Sequence, residues 1–409
     1  MTGAFNKTGI ALGVVFVVAL GLNVAVGFLF GIDRPMESDA HYFLHLAGNM
    51  ADGHGYVVKE SFWPDTPSMR RLPGWPATVY AALKIAPSMD RDLLMRLVGM
   101  LVNSMAAVAA GAVALAVTQA PLAALVAGLL YALHPAALFY ASGGDSEPLF
   151  ALLTGAGVAC LLAAKSARWA GAVLLGLACL VRANFVLMAP IVVVLALVAR
   201  IRPERTECRR LVTMLLIFLV PACVWILRNH RVSGEAPVLS TLRGQTFYGG
   251  NNPVVATNMG YWGYWVFPNQ IPGETPMADL ARTKSEYETD DYYFRRGIAY
   301  IKGNLHSYPL LLVGKCVRAY IPIPWKPGWG SLGVCCYRWL LYAAFLVGLC
   351  AAWRQTRGDF RFLLIAMLGT NLATVLMFYG SMRFAFPLEP FLLPHAAIGV
   401  ISMLKRRQT

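Results

Sequence analysis

The sequence predicts an all-α polytopic integral membrane protein with about ten transmembrane helices, interfacial helices and a small subdomain outside the membrane. Hydrophobic residues make up 57% of the 409 residues and charged residues only 14%, a composition that excludes an ordinary soluble domain. Apolar runs long enough, or nearly long enough, to cross a bilayer recur along the whole chain. Short clusters of basic residues separate these runs, as is typical of cytoplasmic loops.

Ten apolar runs can be counted, and ten crossings would place both chain ends in the cytoplasm. That topology also puts the basic clusters at 200–210, 354–361 and 405–407 on the cytoplasmic side. The runs lie near 9–30, 92–117, 121–141, 148–164, 169–181, 184–199, 211–227, 332–352, 362–379 and 385–404.

The formal net charge of +14 raises the question of a nucleic-acid partner. The basic residues lie in the loop clusters, and no basic stripe interleaved with aromatic residues is left to form such a site. We therefore expect membrane lipids, and no nucleic acid, as partners. The eight cysteines show no metal-type spacing and are treated as small apolar residues.

Two stretches outside the membrane divide the chain into three parts. Residues 1–227 are predicted to form an N-terminal transmembrane module whose first outer loop, 31–91, carries the catalytic group. Residues 228–331 are predicted to form an outer subdomain, and residues 332–409 the C-terminal transmembrane helices.

Two further segments have the pattern of amphipathic helices that lie on the outer membrane surface. Pro73-Gly-Trp-Pro76 breaks the chain, and the helix predicted over Trp75–Lys84 carries Trp and Tyr, which favour the interface. The stretch 306–325 has Lys315 and Arg318 in its middle, three residues apart on one helical face. We expect these two cations to reach lipid headgroups while the apolar face dips into the membrane.

The stretch 33–56 is the first clearly polar part of the chain. Ser38 is predicted to cap a short helix that Gly53 ends, which puts Asp39 in the first turn. The positive end of the helix dipole favours an ionised carboxylate there, so Asp39 is a candidate general base, helped by Glu37. Because acids are common in first turns, a structural role for both acids is the alternative.

Further polar side chains reach the same outer face in this topology, among them the acids Asp145 and Glu147. Arg and Lys bind phosphate through charge-assisted hydrogen bonds, and aromatic rings offer flat faces to a sugar. Glu147 could instead cap a helix, and Arg182 could snorkel to the interface. The first-loop histidines fit no zinc spacing, so no metal ligands are assigned. The candidate substrate- and donor-binding residues are Arg70, Arg71, Lys84, Tyr42, Asn49, Arg182, Glu147, Asn251 and Arg383.

At these residues the chain resembles the membrane glycosyltransferases of the GT-C fold. Within them it is most similar to the bacterial relatives of protein O-mannosyltransferases (glycosyltransferase family 39) and of lipid A aminoarabinose transferase. The first-loop pattern of an acid, Tyr, Ala and Asn before Gly-His-Gly-Tyr carries the resemblance, and further motifs follow in the family's order. These motifs are LPGWP at 72–76, Arg96, Ser-Glu-Pro-Leu-Phe at 146–150, Arg-Ala-Asn at 182–184 (Ala183 where the family has proline), GGNNP at 249–253 and Met-Arg-Phe at 382–384.

The resemblance implies a GT-C type fold and an inverting hexosyl- or pentosyltransferase that takes sugar from a polyprenyl-phosphate donor. Transfer would occur on the periplasmic side of a bacterial inner membrane, to a hydroxyl of a cell-envelope lipid, polysaccharide or protein. Asp39 would be the general base. No cofactor is expected, with a divalent metal left as an open alternative. A polytopic transporter or flippase for a lipid-linked substrate is the rival function, although the chain shows no repeated halves.

Overall fold

The computed structural model describes residues 2–31, 35–36, 38–59, 61–64, 66–198, 205–235, 238–325 and 329–406. Within these ranges all regular secondary structure is helical, which confirms the predicted all-α class. Glu37, one of the two candidate catalytic acids, lies outside the described residues.

The chain combines long apolar helices with shorter helices, some of which are apolar too. In order, the α-helices are α1 (Thr2–Val26), α2 (Ser38–Ala51), α3 (Gly74–Ile85), α4 (Arg91–Thr118), α5 (Pro121–Ala132), α6 (Pro135–Gly143), α7 (Glu147–Leu162), α8 (Ala167–Cys179), α9 (Met188–Val198), α10 (Arg205–Ser233), α11 (Arg243–Gly249), α12 (Pro253–Thr257), α13 (Met277–Leu280), α14 (Glu286–Gly303), α15 (Tyr308–Tyr320), α16 (Trp329–Ala352), α17 (Gly358–Met377), α18 (Met382–Ala385) and α19 (Glu389–Arg406). A π-helical turn covers Gly27–Gly31, and 3₁₀ turns cover Ala183–Leu187, Pro268–Gln270 and Phe386–Leu388.

Six helices of the described part are long and apolar enough to cross a membrane, so the chain is a multi-pass membrane protein. α5 and α6 together form a seventh candidate span that is bent by 57°. The ten predicted crossings are not confirmed, because three further apolar helices are short. At a rise of about 1.5 Å per residue, the 16 residues of α7 cover about 24 Å of a hydrocarbon core about 30 Å thick. The six long spans are Lys7–Phe30, Arg91–Thr118, Thr206–Ser233, Gly330–Ala352, Gly358–Met377 and Met382–Lys405, and the short helices are Glu147–Leu162, Ala167–Cys179 and Ala183–Val198.

Small side chains form one of the two packed centres of the helix bundle. α4 is buried along most of its length and packs on α5 through alanines such as Ala107 and Ala127, both with no exposed surface. Lipid tails are as apolar as these side chains, so close van der Waals packing, and not burial from water, holds membrane helices together.

α16 and α19 cross at two glycines. A Cβ added to Gly348 would lie 1.7 Å from the backbone oxygen of His395, and one added to Gly399 would lie 2.0 Å from that of Ala344. A side chain at either position would therefore push the two helix backbones apart. The crossing bears on the candidate site because α19 follows directly on the segment that carries Arg383.

The 238–325 subdomain, defined as the chain between α10 and α16, contains α11 to α15. It has its own apolar cluster, which includes Tyr248, Val255, Tyr293 and Leu311. The subdomain is joined to the first loop because the Trp63 indole donates to the Lys284 carbonyl at 3.0 Å. The division of the chain into three parts at 227 and 331 stays a prediction.

The segment predicted to lie on the membrane surface forms α15, which at 13 residues is too short to cross a bilayer. The expectation that Lys315 and Arg318 reach lipid headgroups is wrong, since both side chains are buried. Lys315 Nζ donates to Asn251 Oδ1 at 2.7 Å, and Arg318 Nε donates to the Trp262 carbonyl at 2.7 Å. The physical reason is that the loop at 249–265 offers carbonyl and amide oxygens to this face, which satisfy buried cations that would otherwise be costly.

We predict that Gly348→Ala lowers the Tm of the purified protein in detergent, because the added methyl group overpacks the crossing of α16 and α19. Overpacking typically costs about 1–3 kcal/mol. Gly333→Ala is the matched control on the same helix, where nothing lies within 4 Å of the added Cβ, and it should leave Tm unchanged or slightly higher. Equal losses of Tm in the two variants would contradict the close crossing.

Candidate functional site

The site begins with α2, which carries Asp39 in its first turn as the sequence predicts. Gly53 follows the helix end with a left-handed φ of +82°. The amides of Gly53 and His54 donate back to the carbonyls of Met50 and Asn49, at 3.3 Å and 2.8 Å, which is the hydrogen-bond pattern of a glycine C-cap. The predicted end of the helix is therefore confirmed.

Arg383 lies at the centre of the site and contacts three carboxylates. Its Nη1 donates to Asp39 Oδ2 at 2.9 Å, and its Nη2 donates to Asp145 Oδ1 at 3.1 Å. Its Nε donates to Glu147 Oε1. Asp39 comes from α2, and Asp145 and Glu147 come from the turn that leads into α7, so the Arg383 side chain joins two distant parts of the chain to its own segment.

Two more arginines complete the charge balance. Arg71 Nη2 donates to Asp39 Oδ1, and Arg182 Nη2 donates to Glu147 Oε1 at 2.5 Å. Three described guanidiniums thus contact the three carboxylates of the cluster. We call these six residues the charged cluster: Asp39, Arg71, Asp145, Glu147, Arg182 and Arg383.

The side chains of the charged cluster differ in exposure, and we call the partly exposed residues Asp39, Arg71 and Arg383 its rim. The side chains of Asp39 and Arg383 are 26% and 29% exposed, whereas that of Glu147 is fully buried. A molecule that approaches from outside therefore meets Asp39 and Arg383 first. Glu147 is not accessible to such a molecule, because its side chain is fully buried.

Asp39 is held ionised by its neighbours. Burial alone would raise the pKa of Asp39, but the charges and hydrogen bonds of Arg71 and Arg383 outweigh it and hold the pKa well below its ordinary value. As long as both arginines stay in place, the carboxylate is a weak base. A proton acceptor at this position needs its arginines to be engaged elsewhere.

The LPGWP segment at 72–76 docks the first loop against the turns that carry the other charges. The Gly74 amide donates to the Leu180 carbonyl at 2.8 Å, and a Cβ on Gly74 would lie 2.7 Å from that oxygen, so the approach requires glycine. The Trp75 indole is buried and donates to the Gly144 carbonyl at 2.8 Å. The expectation that Trp75 anchors α3 at the membrane interface is therefore wrong, because its indole links two parts of the site. Arg71, three residues before Gly74, is positioned by this docking.

Three buried side chains, Arg338, Glu389 and His134, contact one another and hold the segment that carries Arg383. Arg338 Nη2 donates to the Met382 carbonyl at 2.6 Å and contacts Glu389 Oε1 at 2.5 Å. His134 Nε2 lies 2.5 Å from Glu389 Oε2, and it carries the proton because the other ring nitrogen accepts a backbone amide. The residue before Arg383 is thus fixed by groups inside the bundle.

Two predicted binding residues support α2 and its loop. The Arg71 guanidinium lies over the ring of Tyr42, 5.5 Å from its centroid, and the Tyr42 hydroxyl lies 3.2 Å from Ser68 Oγ. Asn49 Nδ2 donates to the Val57 carbonyl at 2.8 Å and closes the loop after α2. Tyr42 therefore positions a member of the charged cluster, and Asn49 shapes the first loop.

The described contacts of three other predicted binding residues lie outside the charged cluster. Arg70 Nη2 donates a hydrogen bond to Gln245 Oε1, and the exposed Lys84 donates to the Ala51 carbonyl at 2.9 Å. Asn251 is fully buried, and its Nδ2 donates to the carbonyl of Met377 at 3.0 Å. Asn251 thus holds the end of α17, just before the segment of Arg383, and its predicted role as a substrate ligand gains no support.

The residues selected from the sequence do not include Arg338, Glu389 or His134. A signal was available, because Arg338 and Glu389 interrupt apolar runs and charges at membrane depth are costly and usually functional. What the sequence lacked was any indication that the two residues meet.

A family model described as "Mannosyltransferase (PIG-V)" matches residues 29–228, just under half of the chain. This stretch contains Asp39, Arg71, Glu147 and Arg182, and it ends before Arg383. No curated protein matches the chain.

Several solved structures are similar to this one. The archaeal oligosaccharyltransferase AglB from Archaeoglobus fulgidus, in complex with an inhibitory peptide and a dolichol-phosphate, matches with a TM-score of 0.59 and 11% identity over 98% of this chain and 50% of AglB. The same archaeal enzyme in complex with Zn and sulfate matches with a TM-score of 0.55 and 12% identity over 97% of this chain and 49% of that one. ArnT from Cupriavidus metallidurans, bound to undecaprenyl phosphate, gives a TM-score of 0.44 and 16% identity over 94% of this chain and 78% of ArnT.

The chain spans about half the length of the archaeal enzyme, and the likeness extends over nearly all of its own residues. At this low identity the likeness concerns the fold. The chain therefore has the GT-C fold of membrane glycosyltransferases, which confirms the resemblance found in its sequence.

Proposed function

We propose that this protein is a membrane glycosyltransferase that moves a sugar from a polyprenyl-phosphate donor to an acceptor hydroxyl. The observation that carries the proposal is the charged cluster, in which a reachable carboxylate, Asp39, lies between two arginines at the edge of a GT-C bundle. The family model over 29–228 names mannosyl transfer, so mannose is the first sugar to test. The similar archaeal oligosaccharyltransferase structure contains a dolichol-phosphate, which is a polyprenyl phosphate of the kind proposed here as the donor carrier.

The donor phosphate binds at the rim of the cluster. Arg71 and Arg383 provide charge-assisted hydrogen bonds to an anion, and both keep exposed surface. Because the three described guanidiniums balance the three carboxylates, the phosphate must compete with Asp39 for these two arginines. Donor binding thereby weakens the ion pairs of Arg71 and Arg383 with Asp39, and the carboxylate of Asp39 becomes more basic.

Transfer then follows by a single displacement. Asp39 takes the proton of the acceptor hydroxyl, whose oxygen forms a bond to the anomeric carbon. The bond between that carbon and the phosphate oxygen breaks, and the lipid phosphate leaves with the electron pair, stabilised by Arg71 and Arg383. Attack opposite the leaving group inverts the anomeric configuration.

The choice of Asp39 as the base rests on access. Glu147 is fully buried and is contacted by both Arg182 and Arg383, so an acceptor hydroxyl has no route to it. Asp39 keeps about a quarter of its side-chain surface exposed. Glu147 acts as a fixed counter-charge that orients Arg383.

We place the site on the periplasmic side of a bacterial inner membrane. Support comes from the basic clusters near 200–210 and 354–361, which the charge rule assigns to the cytoplasm. Arg182 precedes α9 and the basic cluster at 200–210 follows it, while the cluster at 354–361 lies at the start of α17 and Arg383 follows that helix. The charged cluster therefore lies at the opposite ends of these helices.

The first test changes the base. Asp39→Asn keeps the shape of the side chain but removes the proton acceptor, so turnover of polyprenyl-phosphate mannose should fall by about 10²–10⁴-fold. Binding of the donor should not weaken, because Arg71 and Arg383 hold the phosphate and the substitution removes the carboxylate that competes for them. Asp52→Asn is the matched control, since Asp52 is an exposed acid just after α2 that pairs with Arg91 at 2.7 Å, and it should keep normal turnover.

Near-normal turnover in Asp39→Asn, together with an inactive Glu147→Gln or Glu37→Gln, would assign the base to another acid. If all three variants stayed active, the proposed displacement would be wrong.

The second test changes the phosphate ligand. A hydrogen bond to a charged group contributes about 1.5–3 kcal/mol, so Arg71→Gln should weaken binding of polyprenyl phosphate roughly 10- to 100-fold. Arg91→Gln removes an equal charge from an exposed pair and should leave the Kd unchanged. Binding can be followed by titration of the purified protein in nanodiscs. An unchanged Kd in Arg71→Gln would remove Arg71 from the donor site.

A further inference from the structure

The geometry around Arg383 is that of an ion surrounded by carboxylates. Asp39 and Asp145 approach two of its nitrogens at 2.9 Å and 3.1 Å, and Glu147 approaches the third. Asp145 and Glu147 belong to the same turn at the start of α7, whereas Asp39 comes from α2. The guanidinium of Arg383 lies between all three carboxylates.

Three convergent carboxylate oxygens also form a donor set that hard divalent cations prefer. One further oxygen is available, because the buried Glu147 Oε2 has no hydrogen-bond partner among the described residues. A residue that is only 1% exposed keeps such an acceptor at a cost, which a cation at this point would remove. The acids alone would thus suit a metal ion.

Arg383 makes the site unsuited to a metal in two ways. Its guanidinium occupies the space between the three carboxylates, and with Arg71 and Arg182 it already balances their charge. A metal–oxygen bond of about 2.0–2.6 Å would also require the acids to close on the centre by on the order of 1 Å. Removal of the guanidinium would empty the space between the carboxylates, leave one negative charge unbalanced and allow the acids to move closer together.

Hydrogen bonds to the backbone at residues 382 and 383 hold Arg383 in this position. The Arg383 amide donates to Ser381 Oγ at 3.2 Å, and the preceding carbonyl, that of Met382, accepts from Arg338 at 2.6 Å. A tethered cation of this kind is kept in place by the chain and cannot be removed by a chelator.

We propose that Arg383 is a built-in cation that occupies a three-carboxylate cation site, so that the sugar transfer proposed above proceeds without a divalent metal ion. The planar guanidinium serves three acids at once through separate nitrogens, which a lysine ammonium at one point cannot do with the same geometry. The claim about metal use rests on the proposed transferase function. The claim about the cation site does not, and it can be tested by metal binding alone.

The test for the cation site is Mn²⁺ binding to purified protein in nanodiscs, measured by electron paramagnetic resonance. Arg383→Ala leaves three carboxylates against two guanidiniums around an empty space, and we expect it to bind Mn²⁺ with a Kd at least tenfold lower than wild type. Arg383→Gln, which fills the space but lacks the charge, serves as the second variant if Arg383→Ala does not fold, and it should bind Mn²⁺ more tightly than wild type. Arg91→Ala removes an arginine from an exposed pair and should not differ from wild type.

The claim about metal use is tested on wild type by measuring transfer from polyprenyl-phosphate mannose after exhaustive treatment with EDTA. We expect the full rate, unchanged when Mg²⁺ or Mn²⁺ is added back. Loss of the rate in EDTA with recovery on metal addition would overturn the proposal. Folded Arg383 variants that bind Mn²⁺ no better than wild type would overturn the cation site, whatever the result of the transfer assay. Absence of transfer under every condition would count against the proposed function, while the Mn²⁺ result would still decide the cation site.

Discussion

Charge compensation at Arg383 is the constraint on which the rest of the structure depends. An ionised group buried without a partner is strongly destabilising, and breaking one partner from a buried pair typically costs about 3–5 kcal/mol. Glu147 has no exposed surface, so it is tolerable only because Arg182 and Arg383 contact it. Each member of the charged cluster therefore needs the others, although Asp39 and Arg383 are 344 residues apart in the sequence. The site behaves as one unit.

Much of the remaining architecture can be understood as the means of bringing these segments together. The LPGWP segment docks Arg71 beside the other turns through the Gly74 amide and the Trp75 indole. On the opposite side, Asn251 and Lys315 hold the last carbonyls of α17 and so tie the 238–325 subdomain to the segment of Arg383. The same contacts explain why polar residues of the 238–325 subdomain are buried. Their partners are backbone groups that would otherwise lack hydrogen bonds.

The sequence was sufficient for the fold class, for α2 with its glycine C-cap, and for most members of the charged cluster, because hydropathy, turn residues and charges at span ends are local signals. It was insufficient where partners are distant. The sequence predicts Lys315 to bind lipid headgroups because it does not reveal the acceptor, Asn251, which lies 64 residues away in sequence. Proximity along the chain groups Lys84 and Arg70 with Arg71. In the folded loop the three side chains bind different partners, and only Arg71 contacts Asp39. The span count depends on short and bent helices, which composition alone does not resolve.

The most direct test of the account is a cryo-electron microscopy structure of the protein in nanodiscs with polyprenyl phosphate bound. The account predicts phosphate oxygens at about 3 Å from the guanidiniums of both Arg71 and Arg383. It also predicts that the distance between Arg383 Nη1 and Asp39 Oδ2 becomes longer than the 2.9 Å seen without the lipid. A phosphate bound elsewhere, with the contact between Asp39 and Arg383 unchanged, would contradict the account.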